Sequence, residues 1–221
     1  VGQKDGKGGS IASLYSMYLR LVSFLSVVML ILVATPYLAG AESNESSIPK
    51  LDKEELEELN ELMEELKNEV NVQLEKGEKK GSASGYFKGE KFTLEFEDKG
   101  TNINPTNSDF VSITPMALRT SSFSVKLHNS YGFNFTHVLN ATWSYDSITT
   151  TIFEVSSDSD LSGPFYAKDH NTYSEKLTPS VHEVYSDGYF DTARYGLQYT
   201  THFHVRVNGT GTYQVLKAEM R

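Results

Sequence analysis

Two histidines one residue apart, His202 and His204, are the first side chains whose types and spacing suggest chemistry. They lie in an alternating run, and residues two apart on a β-strand project from the same face. Paired imidazoles on one strand face begin many zinc sites, so a zinc site completed by ligands from elsewhere is one expectation. The alternative is two ordinary side chains on the solvent face of a strand.

A calcium site is a second candidate. Counted from Asp158, oxygen-bearing side chains stand at positions one, three, five and twelve (Asp158, Asp160, Ser162 and Asp169), with Gly163 at six, as in an EF-hand loop. Strand-like residues precede the segment, and the twelfth position carries Asp in place of Glu. The alternative is an Asp- and Ser-rich surface turn. No cofactor is required by the sequence, and calcium is the only one that this pattern suggests.

Aromatic residues are the third candidate. Trp143 and Tyr145 stand at alternating positions of an aromatic-rich run. If exposed, they would form a platform for a sugar or a protein partner. If buried, they belong to the core of a β-domain.

Recognised catalytic patterns do not fit the chain. The segment Gly81–Gly85 has Ala83 where a nucleophile elbow needs serine. His182-Glu183 lacks the second histidine of a zinc-protease helix. Carboxylate pairs for glycoside chemistry depend on the fold and stay open. No catalytic residue is therefore assigned, and an enzyme is the less favoured class.

The N-terminal region predicts export. An apolar run over 21–34 follows Arg20, and Ala39 and Ala41 precede an expected cleavage before Glu42. Residues 1–41 thus read as a signal peptide with a polar N-terminal extension, similar to leaders of Gram-positive secreted proteins. The alternative is an uncleaved membrane anchor. In both cases the rest of the chain is expected to be secreted or held at the extracellular surface.

An acidic helix is predicted over 51–76. Its apolar residues fall at steps of three and four, and Asp52 is a plausible N-terminal cap. The helix is expected to lie against its own domain or form a stalk, and the alternative is homo-oligomerisation through its apolar seam. Residues 42–50 and the Gly- and Lys-rich 77–85 are expected to be linkers.

The periodicity changes to strict alternation after residue 85. About eight short alternating runs predict an all-β domain over 86–221, an antiparallel β-sandwich or barrel. The dipeptides Asp187-Gly188 and Asn208-Gly209 are expected to be tight hairpin turns.

Composition narrows the function. The 221 residues carry a net charge of −9, which disfavours nucleic acid, and contain no cysteine, which excludes disulfides and thiolate sites. We expect a non-catalytic binding or structural β module whose partner is an extracellular protein or a carbohydrate. The alternatives are an extracellular hydrolase and a secreted toxin or bacteriocin-like factor. A membrane would be contacted only through the N-terminal apolar segment, if it is not cleaved.

Overall fold

One helix is followed by nine antiparallel strands in the computed structural model, which describes residues 50–103, 117–130, 134–164, 166–192 and 197–221. The predicted leader and its cleavage site at Ala39, Ala41 and Glu42 lie outside the described residues. The elements are α1 (Lys53–Glu75), β1 (Lys80–Phe87), β2 (Glu90–Ile103), β3 (Leu118–Asn129), β4 (Thr136–Asp146), β5 (Ile152–Ser162), β6 (Ala167–Thr178), β7 (Val181–Thr192), β8 (Leu197–Asn208) and β9 (Tyr213–Met220).

The strands form two antiparallel sheets, of five strands (β1 to β5) and four strands (β6 to β9), each in chain order. A single hydrophobic core contains residues from both sheets and from the helix. The predicted antiparallel, mostly β fold is therefore confirmed, and its two sheets are consistent with a sandwich. Among the described residues, no helix is long and apolar enough to cross a membrane.

The helix α1 begins at a capping box. Asp52 accepts a hydrogen bond from the Glu55 amide, and the Glu55 carboxylate accepts one from the Asp52 amide. Its predicted apolar seam is buried against the sheets, with Leu59, Met63 and Val70 fully inaccessible to solvent. The expectation of a helix packed on its own domain is confirmed. The seam that self-association would have used is occupied by the protein's own core.

Three amide side chains of α1 bind the backbone of β1 and β9, which are edge strands of the five-stranded and the four-stranded sheet, respectively. Asn60 bonds both the amide and the carbonyl of Met220, and Asn71 does the same with Val215. Gln73 bonds both backbone groups of Ser82 in β1. The helix therefore satisfies edge groups of both sheets where a further strand would otherwise pair.

Small residues in β1 allow this close approach. A Cβ on Gly81 would lie 3.2 Å from Val70 Cγ1, and Ala83, which follows, is buried. The prediction of a linker over 77–85 is therefore wrong, because residues 80–85 are the first part of β1. Gly81 and Gly85 leave room for the side chains of α1. They do not provide the flexibility that was expected of a linker.

The predicted aromatic platform is part of the core. Trp143 is fully buried and donates from Nε1 to the Asn208 carbonyl at 3.1 Å, and Tyr145 is also buried. Trp143 packs against the rings of Phe123 and Tyr213. Neither Trp143 nor Tyr145 can offer a ring face to a ligand without a rearrangement of the core.

The two predicted turn dipeptides have different outcomes. Asn208-Gly209 marks the β8–β9 hairpin, as expected, although four residues separate the strands. Asp187-Gly188 lies in the middle of the continuous strand β7, so the turn predicted there is wrong. Gly188 faces the interior, where the side chains of Leu161, Thr201 and His137 leave no space for a Cβ.

Gly188→Ala is expected to destabilise the protein by about 1–3 kcal/mol, the usual cost of overpacking a tight interior. The added methyl would lie 2.8 Å from Leu161 Cδ2 and 2.9 Å from Thr201 Oγ1. Urea unfolding measures the change, with Ser156→Ala on the exposed side of β5 as the control. A Gly188→Ala variant as stable as this control would contradict the packing described.

Candidate functional site

A chain of hydroxyl groups and one imidazole crosses the interior between the sheets. Thr172 of β6 donates to Ser159 of β5 at 3.0 Å, and the Ser159 and Ser186 hydroxyls lie 2.6 Å apart. Ser186 Oγ lies 2.9 Å from His137 Nε2, and His137 Nδ1 lies 2.7 Å from Thr201 Oγ1. These residues come from five consecutive strands, so the chain also ties the two sheets together.

The donor and acceptor roles along this hydrogen-bond chain follow from its last bond. Thr201 donates its hydroxyl proton to the Gly188 carbonyl at 3.3 Å, so it must accept from His137 Nδ1–H. His137 Nε2 then carries a lone pair and accepts from Ser186. Every hydrogen bond from Thr172 to Gly188 can point the same way, an arrangement in which neighbouring bonds strengthen one another.

His137 provides the imidazole of this hydrogen-bond chain, and the imidazole is neutral. Burial lowers the pKa of His137 to about 3, with smaller contributions from His170 and His202. A serine beside a histidine is the geometry of an activated nucleophile. Here the imidazole is a weak base, its orienting partner is a threonine, and both His137 and Ser186 are fully buried. The chain is therefore suited to holding the sheets in register and not to hydrolysis.

The outer face of the four-stranded sheet carries a different arrangement, which we call the polar grid. Its sixteen residues form four cross-strand rows, each with one residue from β6, β7 and β8 and a fourth from β9 or, for Arg221, from the position directly after β9. The rows are Glu175, Glu183, Arg206, Gln214; Tyr173, Tyr185, His204, Lys217; Asn171, Asp187, His202, Glu219; and Asp169, Tyr189, Thr200, Arg221. No position carries an aliphatic side chain.

Glu183 is the most restrained member of the grid. Its carboxylate accepts from Arg206 at 2.7 Å and 3.1 Å and from Tyr185 at 2.7 Å, and it lies 2.8 Å from His204 Nε2. Burial alone would raise the pKa of Glu183, but the bonds from Tyr185, Arg206 and His204 outweigh it and lower the pKa to about 2. Glu183 is thus ionised at neutral pH and held in one position.

A second set of contacts surrounds Asp187 in the next row. Its carboxylate lies 2.7 Å from His202 Nδ1 and 3.7 Å from Arg221. Arg221 also bonds Glu219 at 2.7 Å. Burial lowers the pKa of His202, and the bond to Asp187 opposes that effect.

Three stacked rings form one row of the grid. Tyr173 and Tyr185 have ring centroids 4.9 Å apart, and Tyr185 and His204 have centroids 4.4 Å apart. The bond to Glu183 raises the pKa of Tyr185 to about 12, so its hydroxyl remains a donor. Tyr173, at the end of the row, is 46% exposed.

The structure places the predicted zinc ligands on one strand face, as expected. His202 and His204 both belong to the grid, where each imidazole contacts a carboxylate of β7. Because of these partners, the side chains of His202 and His204 are less exposed than those of two unpaired residues on a solvent-facing strand would be. Among the described residues, no group of three or more His, Asp or Glu is arranged to hold a metal ion, and zinc binding remains a prediction.

The predicted calcium ligands do not lie in one loop. Asp158, Asp160 and Ser162 alternate along the exposed side of β5, and Asp169 lies in β6. Both the EF-hand-like loop and the surface turn expected here are therefore replaced by a strand, which spreads the oxygens along one line. Asp158 lies 3.9 Å from His170 of β6. Calcium binding is a prediction without a preformed loop to support it.

Most grid residues could not be found from the sequence, because their strands were not all recognised. Tyr173 and Asn171 belong to β6, a strand exposed on both faces. Asp187 belongs to the dipeptide that resembled a turn, and Glu183 lies four residues before it on the same strand. The available signal was the alternation over 181–185 and 199–207, which places Glu183 and His204 outside the core once the register is known.

Comparison with known proteins found no matching family model, curated protein or solved structure.

Proposed function

We propose that this chain is an exported, non-catalytic binding module and that the polar grid is its ligand-binding surface. The observation that carries the proposal is the buried, fully bonded Glu183 on the outer face of a sheet. Ion pairs withdrawn from water seldom add net stability. A network of this kind is more useful for holding donors and acceptors ready for a ligand.

The chemistry of the grid favours binding over hydrolysis. An ionised Glu183 cannot act as a general acid at neutral pH. Glu183 and Asp187 are four residues apart on one strand, roughly 13 Å along the chain. Paired glycosidase carboxylates are about 5–9.5 Å apart. The Ser186–His137 pair has no access to solvent.

The apolar leader predicted over residues 21–34 supports export, which would give the grid access to extracellular ligands. The net charge of −9 is consistent with a partner other than nucleic acid. The acidic helix has a structural part in this proposal, since it covers the edges of the two sheets.

Immobilised neutral polysaccharide, heparin and gelatin provide a first test. We expect one of these surfaces to retain the purified protein without any release of reducing ends or peptides. The double substitution Tyr173→Ala/Arg206→Ala should weaken that binding by about tenfold or more, as loss of a central aromatic and an arginine usually does.

The matched control is Glu95→Ala/Lys126→Ala, which removes a cross-strand ion pair of 3.0 Å from the outer face of the other sheet. This variant should bind like the unmodified protein. Retention that the grid substitutions do not change, product release from any surface, or no retention at all would overturn the proposal.

A further inference from the structure

Resting on the proposed function, we infer that the ligand of the polar grid is a neutral, hydroxyl-rich carbohydrate. Three properties of the grid lead to this class: the lack of excess positive charge, the absence of aliphatic side chains, and one half-exposed tyrosine ring. The first two each exclude an alternative ligand, and the third supplies a contact that a carbohydrate uses.

The charges of the grid exclude an anionic ligand. The grid holds five carboxylates (Asp169, Glu175, Glu183, Asp187 and Glu219) and three cationic side chains (Arg206, Lys217 and Arg221). Each cation contacts a carboxylate of β7 or β9. A sulfated or phosphorylated polymer would therefore find no excess positive charge here. A neutral ligand matches the β7–β9 part, where three carboxylates and three cations are already paired.

The side-chain composition distinguishes a sugar from a protein partner. Protein interfaces have an apolar centre from which charged residues are depleted. The centre of the grid instead holds Glu183, His202, His204 and Asp187. A sugar hydroxyl both donates and accepts hydrogen bonds, so it can bond to such groups without breaking their existing pairs.

Tyr173 supplies the aromatic contact that such a ligand needs. Tyr185 stacks on one side of its ring at an interplanar angle of 15°, and the side chain is 46% exposed. A ring fixed in this way loses little freedom when a ligand packs against it. Asn171 and Asp169, which precede it on the same face of β6, are exposed and carry amide and carboxylate groups.

The experiment is a calorimetric titration of the purified protein with linear neutral oligosaccharides of glucose, mannose and N-acetylglucosamine. At least one should bind, and Tyr173→Ala should weaken its binding by about tenfold. Tyr173→Phe should keep the affinity, because it preserves the ring. Phe153→Ala is the matched control, since Phe153 is a similarly exposed aromatic, 51% exposed, on the other sheet.

Salt gives a second readout. Affinity for a neutral sugar should be the same in about 0.05 M and 0.5 M NaCl, whereas binding of a polyanion through exposed charges is strongly screened over that range. Each substituted protein is first checked for an unchanged unfolding midpoint, so that lost affinity reports on the surface.

The outcomes separate this inference from the proposed function. Gelatin or heparin binding that depends on the grid, with no oligosaccharide bound, would overturn the carbohydrate inference and leave the binding module intact. Oligosaccharide binding that Tyr173→Ala does not weaken would also overturn the inference. If neither oligosaccharides nor the three immobilised surfaces bind, the inference and the proposed function fall together.

Discussion

Acidification from pH 7 to pH 5 is expected to lower the free energy of unfolding by about 2 kcal/mol through His137 alone. The folded state holds the pKa of His137 at about 3, below the ordinary value of 6.5. Below pH 6.5 the unfolded chain therefore binds a proton that the folded chain does not bind. Stability is fully present above that pH and is lost progressively as the pH falls toward 3.

The same proton would oppose the buried hydrogen-bond chain. A protonated imidazole donates from both nitrogens, whereas Ser186 now donates to Nε2. Ser186, Ser159 and Thr172 would all have to reverse their hydrogen bonds to accommodate it. The lowered pKa values of His202 and His182 act in the same direction, and Glu183 adds to the loss below about pH 4.5.

His137→Gln isolates this contribution. The glutamine keeps an amide that can both donate and accept, but it does not titrate. Urea unfolding at several pH values should show a slope between pH 6 and pH 4.5 that is reduced by about 1.4 kcal/mol per pH unit relative to the unmodified protein.

His128→Gln is the control, because His128 is a partly exposed residue whose ring hydrogen-bonds Thr136 on the outer face of the five-stranded sheet. The pH slope of this variant is the reference with which the slope of His137→Gln is compared. Identical slopes for the unmodified protein and His137→Gln would show that His137 is not the buried neutral group described here.

The double substitution Asn60→Ala/Asn71→Ala is expected to destabilise the protein by about 2–6 kcal/mol. Each amide satisfies one backbone amide and one carbonyl on β9, so four edge groups lose their partners. Because unpaired strand edges recruit other strands, the variant should also associate with itself. Urea unfolding measures the stability, and size-exclusion chromatography at rising concentration measures the association.

Asn68→Ala provides the matched control on the same helix. Asn68 is exposed, and its amide reaches only Glu64 at 3.5 Å, so its loss should cost no more than about 0.5 kcal/mol. If the double variant were as stable and as monomeric as Asn68→Ala, the contacts of α1 with the edge of β9 would contribute nothing to the free energy of unfolding or to the prevention of self-association.

The elements predicted from the sequence are those that bury one face. The seam of α1 and the alternating apolar residues of β2, β3, β4 and β8 each face the common core, so periodicity alone identified them. By contrast, β6 is exposed along both faces and shows no apolar alternation. A strand without a buried face leaves no hydrophobic period in its sequence.

Glycine caused the two other errors, for a shared physical reason. In β1, Gly81 and its small neighbours make room for a helix, and in β7, Gly188 makes room for His137 and Thr201. A glycine required by close packing has the same local sequence as one required by a turn. Only the tertiary contacts distinguish these two uses.

The candidate site was predictable in part. The shared face of His202 and His204 followed from strand geometry and is confirmed, but their partners Asp187 and Glu183 depend on the register of β7 against β8. The buried chain through His137 was not predictable, since its members come from five strands and have no common motif.

The bond between Asn60 and Met220 joins residues 160 positions apart. A ribosome makes α1 before any of the nine strands, so the nascent helix has no permanent place until β9 has been synthesised. During synthesis the apolar face of α1 must therefore be covered by temporary contacts with other segments or by a chaperone. Truncation before β9 would leave Asn60 and Asn71 of α1 without their backbone partners.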